Sequence, residues 1–424
     1  MAETGARWVF HCDCNSFYAS VELLDRPELK DVPAAVCGDP AHRRGIILAK
    51  NEPAKRCGVQ TAETVYSALR KCPGLQLLAP HHGLYRRFSR QINAIYETYT
   101  DRVEPFGIDE SWLDMTGTWH LFGQSPAQVA DAIRARVKAE TGLTLSVGVS
   151  FNKVFAKIGS DYKKPDATTL IGPENWKQII WPLPVGALLY AGASAQRALA
   201  GLGVRTIGQL AGTPDGELRA VLGRLGPQLG RYARGLDDEP VRPAGQHPPV
   251  KSVGNGMTFA RDLVSWQDIR TGVGALADQV ATRLRAQGLY CTAVQVQLKD
   301  TALRAVSRQA QLGRATHLAA EIAAACLSLV RKHWDGRPLR MVTVTALSLT
   351  EDPLEQMSLF SAPAAGRDKR EQLERSLDDI RRRFGRHAIA PAGVLNNDIG
   401  LDTLGLEKRQ DAQDNECREE DDKW

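Results

Sequence analysis

The chain has 424 residues, 43% hydrophobic and 24% charged, with a formal net charge of +5. That length is more than one hydrophobic core serves, so about three or four domains are expected. No apolar run approaches the ~20 residues a membrane-spanning helix needs, and no basic stretch followed by a long apolar one opens the chain. No membrane-spanning helix is therefore expected, and a cytoplasmic location is.

In chain order, residues 8–13 read as a buried strand and 16–25 as a helix, with Phe17, Val21 and Leu24 on one side. Short apolar runs at 33–37 and 46–49 are strand candidates. Residues 83–100 place Leu84, Phe88, Ile92, Ile95 and Tyr99 at three- and four-residue steps, the period of an amphipathic helix. A strand at 143–149 leads into a helix from Asn152. Strands alternating with helices point to an α/β layer. Residues 166–243 are rich in Gly, Ala and Leu and read as short helices joined by tight turns. Three prolines and a glycine within 241–250 predict a linker. Beyond it, helix candidates at 269–287 and 318–332 and strand candidates at 292–298 and 340–349 make a further unit. After Asp352 the chain turns polar, with one amphipathic helix expected at 367–384 and disorder from 407.

Charge is unevenly spread. The last 19 residues hold eight acidic and four basic side chains, whereas residues 246–350 hold thirteen basic and six acidic ones. A basic module of that kind suits a phosphate backbone. Of eight cysteines only Cys12 and Cys14 are close. No second pair completes a zinc site, so reduced thiols are expected.

Three acids stand out. Asp13 ends an apolar strand just before a helix, and Asp109-Glu110 lies in an alternating apolar and aromatic stretch from Phe106. Buried acids on neighbouring strands are costly without cations, so their convergence would suit a divalent metal site of the kind that phosphoryl transfer needs.

Phe-His-Cys-Asp-Cys-Asn-Ser-Phe-Tyr-Ala-Ser-Val-Glu (10–22) is similar to the first motif of Y-family translesion DNA polymerases. Gly-Ile-Asp-Glu-Ser-Trp-Leu-Asp (107–114) resembles their second carboxylate motif, and residues 146–166, from Ser-Val-Gly-Val-Ser-Phe-Asn-Lys to Lys-Lys-Pro-Asp, resemble their third. The likeness spans roughly 7–360 and is nearest the bacterial DNA polymerase IV branch. It implies an α/β (α+β) multidomain fold: a palm with mixed sheet and helices (1–18 and 75–165), small fingers (19–74), a helical thumb with helix-hairpin-helix (166–240), the linker (241–250), an α/β little finger (251–350) and a C-terminal extension (351–424).

The resemblance also implies roles. Asp13 and Asp109 match the acids bridging two Mg²⁺ ions, for which Mn²⁺ can substitute. Glu110 matches the third acid, and the carbonyl of Cys14 a further ligand. Tyr18 matches the steric gate that clashes with a 2′-hydroxyl, with Phe17 its core neighbour. Lys164 matches a triphosphate-binding lysine. Lys153 and Lys157, one helical turn apart, can face acids, phosphates or solvent. The usual second acid two residues after the first is Asn15 here. The usual fingers Tyr and Arg that grip the triphosphate are Glu52 and Lys55, leaving Lys55 and Arg56 as the nucleotide-binding candidates.

Gly192-Ala193-Ser194 and Leu202-Gly203-Val204 resemble a helix-hairpin-helix that offers backbone N–H groups to phosphates, although its usual first glycine is Tyr190. Gly192, Gly203, Lys251, Arg261, Arg304 and Arg308 are the DNA-binding candidates. Gln356-Met357-Ser358-Leu359-Phe360 resembles the peptide by which bacterial polymerases bind the β sliding clamp, with Gln356, Ser358, Leu359 and Phe360 as anchors. The expected partners are thus primed DNA template, dNTP and clamp, bound by a monomer. The alternative is a weak or inactive polymerase-like accessory protein recruited by the clamp.

Overall fold

A computed structural model of the chain describes residues 7–39, 45–352, 366–385, 388–395 and 397–401. The clamp-like peptide and the acidic end lie outside them. The chain divides into two compact units at His247 and Pro248.

The first unit is built on a five-stranded sheet of β1 (Val9–Cys14), β5 (Val103–Pro105), β6 (Glu110–Asp114), β7 (Leu145–Ser150) and β8 (Thr168–Ile171), in the order β5-β6-β1-β7-β8. Every residue of β1 is buried, because both faces of the sheet are covered. Alternation along the strand sends Phe10, Cys12 and Cys14 into the core made with α4 (His82–Glu97) and α5 (Pro126–Thr141). Val9 lies on the other face, packed with Ala156 of α6 (Lys153–Tyr162), and His11 and Asp13 share that face by the same alternation. Helix α6 begins where Asn152 accepts a hydrogen bond from Phe155 N. It lies so close to β7 that a Cβ on Gly148 would stand 1.9 Å from Ala156 O and 2.4 Å from Ser160 N. Only glycine fits there.

Helix α1 (Phe17–Glu22) follows β1 and stops three residues short of the run expected from the sequence. A small sheet then forms from β2 (Ala34–Cys37), β3 (Ile47–Lys50) and β4 (Gln76–Leu78), in the order β3-β2-β4, with α2 (Glu52–Arg56) and α3 (Val65–Lys71) packed on it. The helical stretch expected after 166 appears as α7 (Trp176–Ile180), α8 (Ala193–Gly201), α9 (Ile207–Gly212), α10 (Asp215–Leu222) and α11 (Leu225–Ala233), which share an apolar core with α6. The proline-rich segment after 240 forms neither helix nor strand. Its first residues are nevertheless fastened: Val241 is fully buried, and Ala244 N donates to Asp101 O at 2.8 Å.

The second unit is an antiparallel sheet of β9 (Ser252–Leu263), β10 (Tyr290–Asp300), β11 (Ala305–Thr316) and β12 (Leu339–Thr350), ordered β11-β10-β12-β9. Helices α12 (Trp266–Ala286) and α13 (Ala319–His333) share its apolar core. The amphipathic helix expected at 367–384 is α14 (Arg367–Phe384), held by Arg285 to Glu374 and Asp378. Ile399 and Leu401 return to that core, and Ala260 N donates to Ile399 O at 3.0 Å. The mixed α/β architecture expected from the sequence is what the chain adopts.

Candidate active site

Antiparallel pairing of β1 with β6 sets Asp13 opposite Glu110 and His11 opposite Trp112. Asp109 is drawn in by the backbone, since Cys14 N donates to its carbonyl at 3.0 Å. The turn before Glu110 is closed by Phe106 N on Glu110 O at 2.9 Å. Two strands and one turn thus bring together acids almost a hundred residues apart in sequence.

Lysines answer them. Lys164 Nζ lies 2.6 Å from Asp13 and 2.7 Å from Asp161. Lys157 pairs with Glu110. Lys153 turns inward onto Glu104, 2.9 Å from both carboxylate oxygens. Both lysines of α6 therefore face acids of the protein. Burial pushes the Asp13 carboxyl up to about 6 despite Lys164, and burial with the charge of Glu110 raises Asp109. Burial acts the same way on Glu110, but His11 and Lys157 outweigh it and hold that carboxyl at about 2.

His11, fully buried, lies with Nε2 3.2 Å from Glu110 Oε2 and Nδ1 2.8 Å from Ser160 Oγ. Burial lowers its pKa to about 4, so the ring is neutral at pH 7. Ligand atoms of His11, Asp13 and Glu110 lie within 4.8 Å of one another. Carboxylate oxygens dominate the set, and burial raises the pKa of two of the three acids, so a nearby cation would favour their charged form. That donor chemistry fits a hard divalent cation, with Asp109 beside it.

Asn15 has a structural task. Its Nδ2 donates to Ser146 Oγ at 2.8 Å, and its Oδ1 accepts from Thr144 Oγ1 at 3.0 Å and from Asp166 N at 2.9 Å. The amide ties the segment carrying Lys164 to β7, and an aspartate could not make the donor half of that link. Tyr18 is half-buried at the edge of the core made with α4 and α5, while Phe17 is buried in it. Lys55 and Arg56 are exposed at the end of α2, and Lys55 lies 3.4 Å from Glu52. Asn51 caps that helix through Ala54 N and also accepts from Ala34 N at 3.0 Å.

Gly192 caps α8, and Gly203 follows it with φ +78°, leaving open space around both. Tyr190 itself takes a φ of 68°, the left-handed backbone a glycine would adopt there. In the second unit, Lys251 is exposed just before β9. Arg261 forks onto Asp268 and Asp398, and Arg304 is paired with Asp300 at 3.0 Å. Arg308 is opposite Val296, a core residue, so it projects on the helix side of the edge strand. These three arginines are not gathered on the open face of the sheet.

Sequence reasoning missed His11, although its spacing of two from Asp13 on a strand was the available signal. It also missed Tyr85, which carries Tyr18 and left no signal beyond a place in the helical pattern.

The chain matches the impB/mucB/samB family over residues 12–161 and the C-terminal domain of that family over 250–359. It is 45% identical over 400 residues to the DNA polymerase IV of Acetivibrio thermocellus, covering 94% of this chain and all of that one. Identity is 38% to the DNA polymerase IV of Pelotomaculum thermopropionicum, covering 90% and 96%. It is 33% to DNA polymerase IV 1 of Bacillus subtilis, covering 93% and 94%. Among solved structures, a Y-family DNA polymerase chimera shares the fold with a TM-score of 0.72 at 21% identity, covering 80% of this chain and 98% of that one. Likeness of this extent, on a fold that converges three acids at one strand end, means that the chain belongs to the DNA polymerase IV family of Y-family translesion DNA polymerases, DNA-directed and metal-dependent.

Proposed function

We propose that Asp13, Asp109 and Glu110, with the carbonyl of Cys14, hold two Mg²⁺ ions, or Mn²⁺ in their place, where a primer 3′-end meets an incoming dNTP. The observation that carries this is the register of β1 with β6, which sets Asp13 against Glu110 while Cys14 N holds Asp109. Metal ions held there would supply acidification of the 3′-hydroxyl and charge neutralisation of the leaving pyrophosphate. Lys164, already beside Asp13, meets the triphosphate as a compact cation. Lys55 and Arg56 add charge from α2. Tyr18 presents a flat wall to the sugar and excludes the 2′-hydroxyl.

Residues 1–18 and 75–165 act as palm, 19–74 as fingers, 166–240 as thumb and 251–350 as little finger. Gly192 and Gly203 let the thumb backbone approach DNA phosphates, and Lys251 and Arg308 add charge in the little finger. Gln356–Phe360 recruits the β clamp to a monomeric, cytoplasmic enzyme. A purely accessory role has less support, because such a role has no use for buried, paired acids that are costly to keep.

Primer extension on primed DNA with Mg²⁺ is the test. The wild type extends, and Asp109→Ala lowers the rate by about 10³-fold or more with its fold intact by circular dichroism. Absence of extension by a folded wild type would remove this reading.

A further inference from the structure

The ring of Tyr18 rests on a built platform. Tyr18 and Glu22 are four residues apart on α1, and His81 and Tyr85 four apart at the start of α4, so each pair shares a helix face. The two faces close on each other. Tyr18 stacks on Tyr85 with ring centroids 4.0 Å and planes 13° apart. The Tyr85 hydroxyl donates to Glu22 Oε1. His81 Nδ1 lies 2.8 Å and 3.0 Å from the two Glu22 oxygens. His82 meets both tyrosine rings edge-on, at 5.8 Å and 5.7 Å.

Depth makes this assembly stiff. Tyr85 is fully buried and Glu22 is 5% exposed. A carboxylate at that depth is held only where donors satisfy it, and here the donors are Tyr85 and His81. Burial and the Glu22 carboxylate push the Tyr85 phenol above its ordinary range, so it stays protonated and donating. Tyr18, by contrast, is only half-buried. Without a partner its ring could swing between rotamers at little cost.

We propose that Tyr85, anchored by Glu22 and His81, is a positioning residue for sugar discrimination: it fixes the height and tilt of the Tyr18 ring and so sets the room left at the 2′ position of the incoming nucleotide. This rests on the reading of Tyr18 as the sugar wall. A wall that must reject one added oxygen has to be held to within about 0.5 Å. Tyr18 gets that precision from the stack, and the stack gets it from the buried carboxylate. Tyr85 touches no nucleotide and acts through Tyr18.

The test is single-nucleotide incorporation by the full chain on primed DNA. Matched dNTP and rNTP are compared as the ratio of their kcat/KM values, with thermal unfolding of each variant alongside. Tyr18→Ala loses most of the discrimination. Tyr85→Leu, which removes the stack, lowers it up to about tenfold. Tyr85→Phe keeps the ring but drops the anchor and lowers it about threefold, chiefly through a smaller KM for the rNTP. A merely structural role would slow both nucleotides equally and leave the ratio unchanged. Wild-type discrimination in folded Tyr85→Leu overturns the proposal, and if that variant does not fold, Tyr85→Phe decides in the same way. Loss in Tyr18→Ala without loss in either Tyr85 variant removes the platform alone. An unchanged ratio in Tyr18→Ala removes the gate reading itself.

Discussion

The acid site around β1 and helix α2 treat charge in opposite ways. At the acid site, Asp13, Glu110, Lys157 and Lys164 are substantially buried and paired, and removing either partner strands a charge in a poorly solvated place. On α2, Glu52 and Lys55 pair at 3.4 Å with about half of each side chain in solvent. An ion pair of that kind contributes little and is screened by salt. The acid site is therefore fixed by its own electrostatics, whereas the exposed pair at 52 and 55 can change without disturbing the fold. Asn51 makes that freedom possible: it holds α2 through buried hydrogen bonds to Ala54 N and Ala34 N, neither involving the exposed residues.

The sharpest way to break the rigid side is through its geometry. Gly148→Ala sets a methyl against Ala156 O at a distance no Cβ tolerates. Helix α6, with Lys157 and Ser160, has to lift from the sheet. The expected cost is about 3 kcal/mol or more, read as a lower urea midpoint, with extension lost in parallel. A change under about 1 kcal/mol would mean that α6 can slide without penalty, and the contrast with α2 would weaken.

Lys164→Ala is the next largest. It removes the partner of Asp13, whose carboxyl burial already pushes up to about 6, and it removes a cation proposed to meet the triphosphate. The kcat/KM for dNTP should fall by about 10- to 100-fold, with a measurable loss of stability as well, because the nearly buried Asp13 is left without its partner. Equal kcat/KM for Lys164→Ala and wild type would contradict both roles.

How far the sequence revealed this contrast depended on distance along the chain. Asp13 was legible because a mostly apolar strand breaks on an acid just before a helix, and Asp109-Glu110 because its flanks are apolar and aromatic. The long helices were legible from period, α4 and α13 within a few residues of their ends. Strands β9 and β11 were not. β9 spaces its buried residues with glycines, and β11 is a polar edge strand whose exposed run carries no alternation. The supports of the site stayed hidden for another reason. His11 meets Ser160, Glu22 meets Tyr85, and Asn15 meets Asp166 across roughly 60 to 150 residues, and no local period encodes such a meeting. In the second unit, Arg261 reads as a DNA-binding candidate, but it forks onto Asp268, seven residues on, and onto Asp398, which arrives only when the chain returns.

The smallest effect tests the loose side. Glu52→Ala removes a carboxylate near Lys55 without touching the Asn51 cap, so α2 should keep its place and its stability within about 0.5 kcal/mol. Two consequences oppose each other. Alanine frees Lys55 from its 3.4 Å partner and removes a negative charge from the path of a triphosphate, both favouring the nucleotide. It also takes an acid from the first turn of a short helix, where an acid is mildly stabilising. The second term is bounded by the small worth of an exposed helix-end charge, and the first acts on a ligand carrying several negative charges. KM for dNTP should therefore fall about two- to threefold at low salt, with kcat little changed, and the gain should fade as ionic strength rises and the Debye length shortens. A rise in KM instead would show that Glu52 belongs to the nucleotide grip, and that α2 is as specifically built as the acid site.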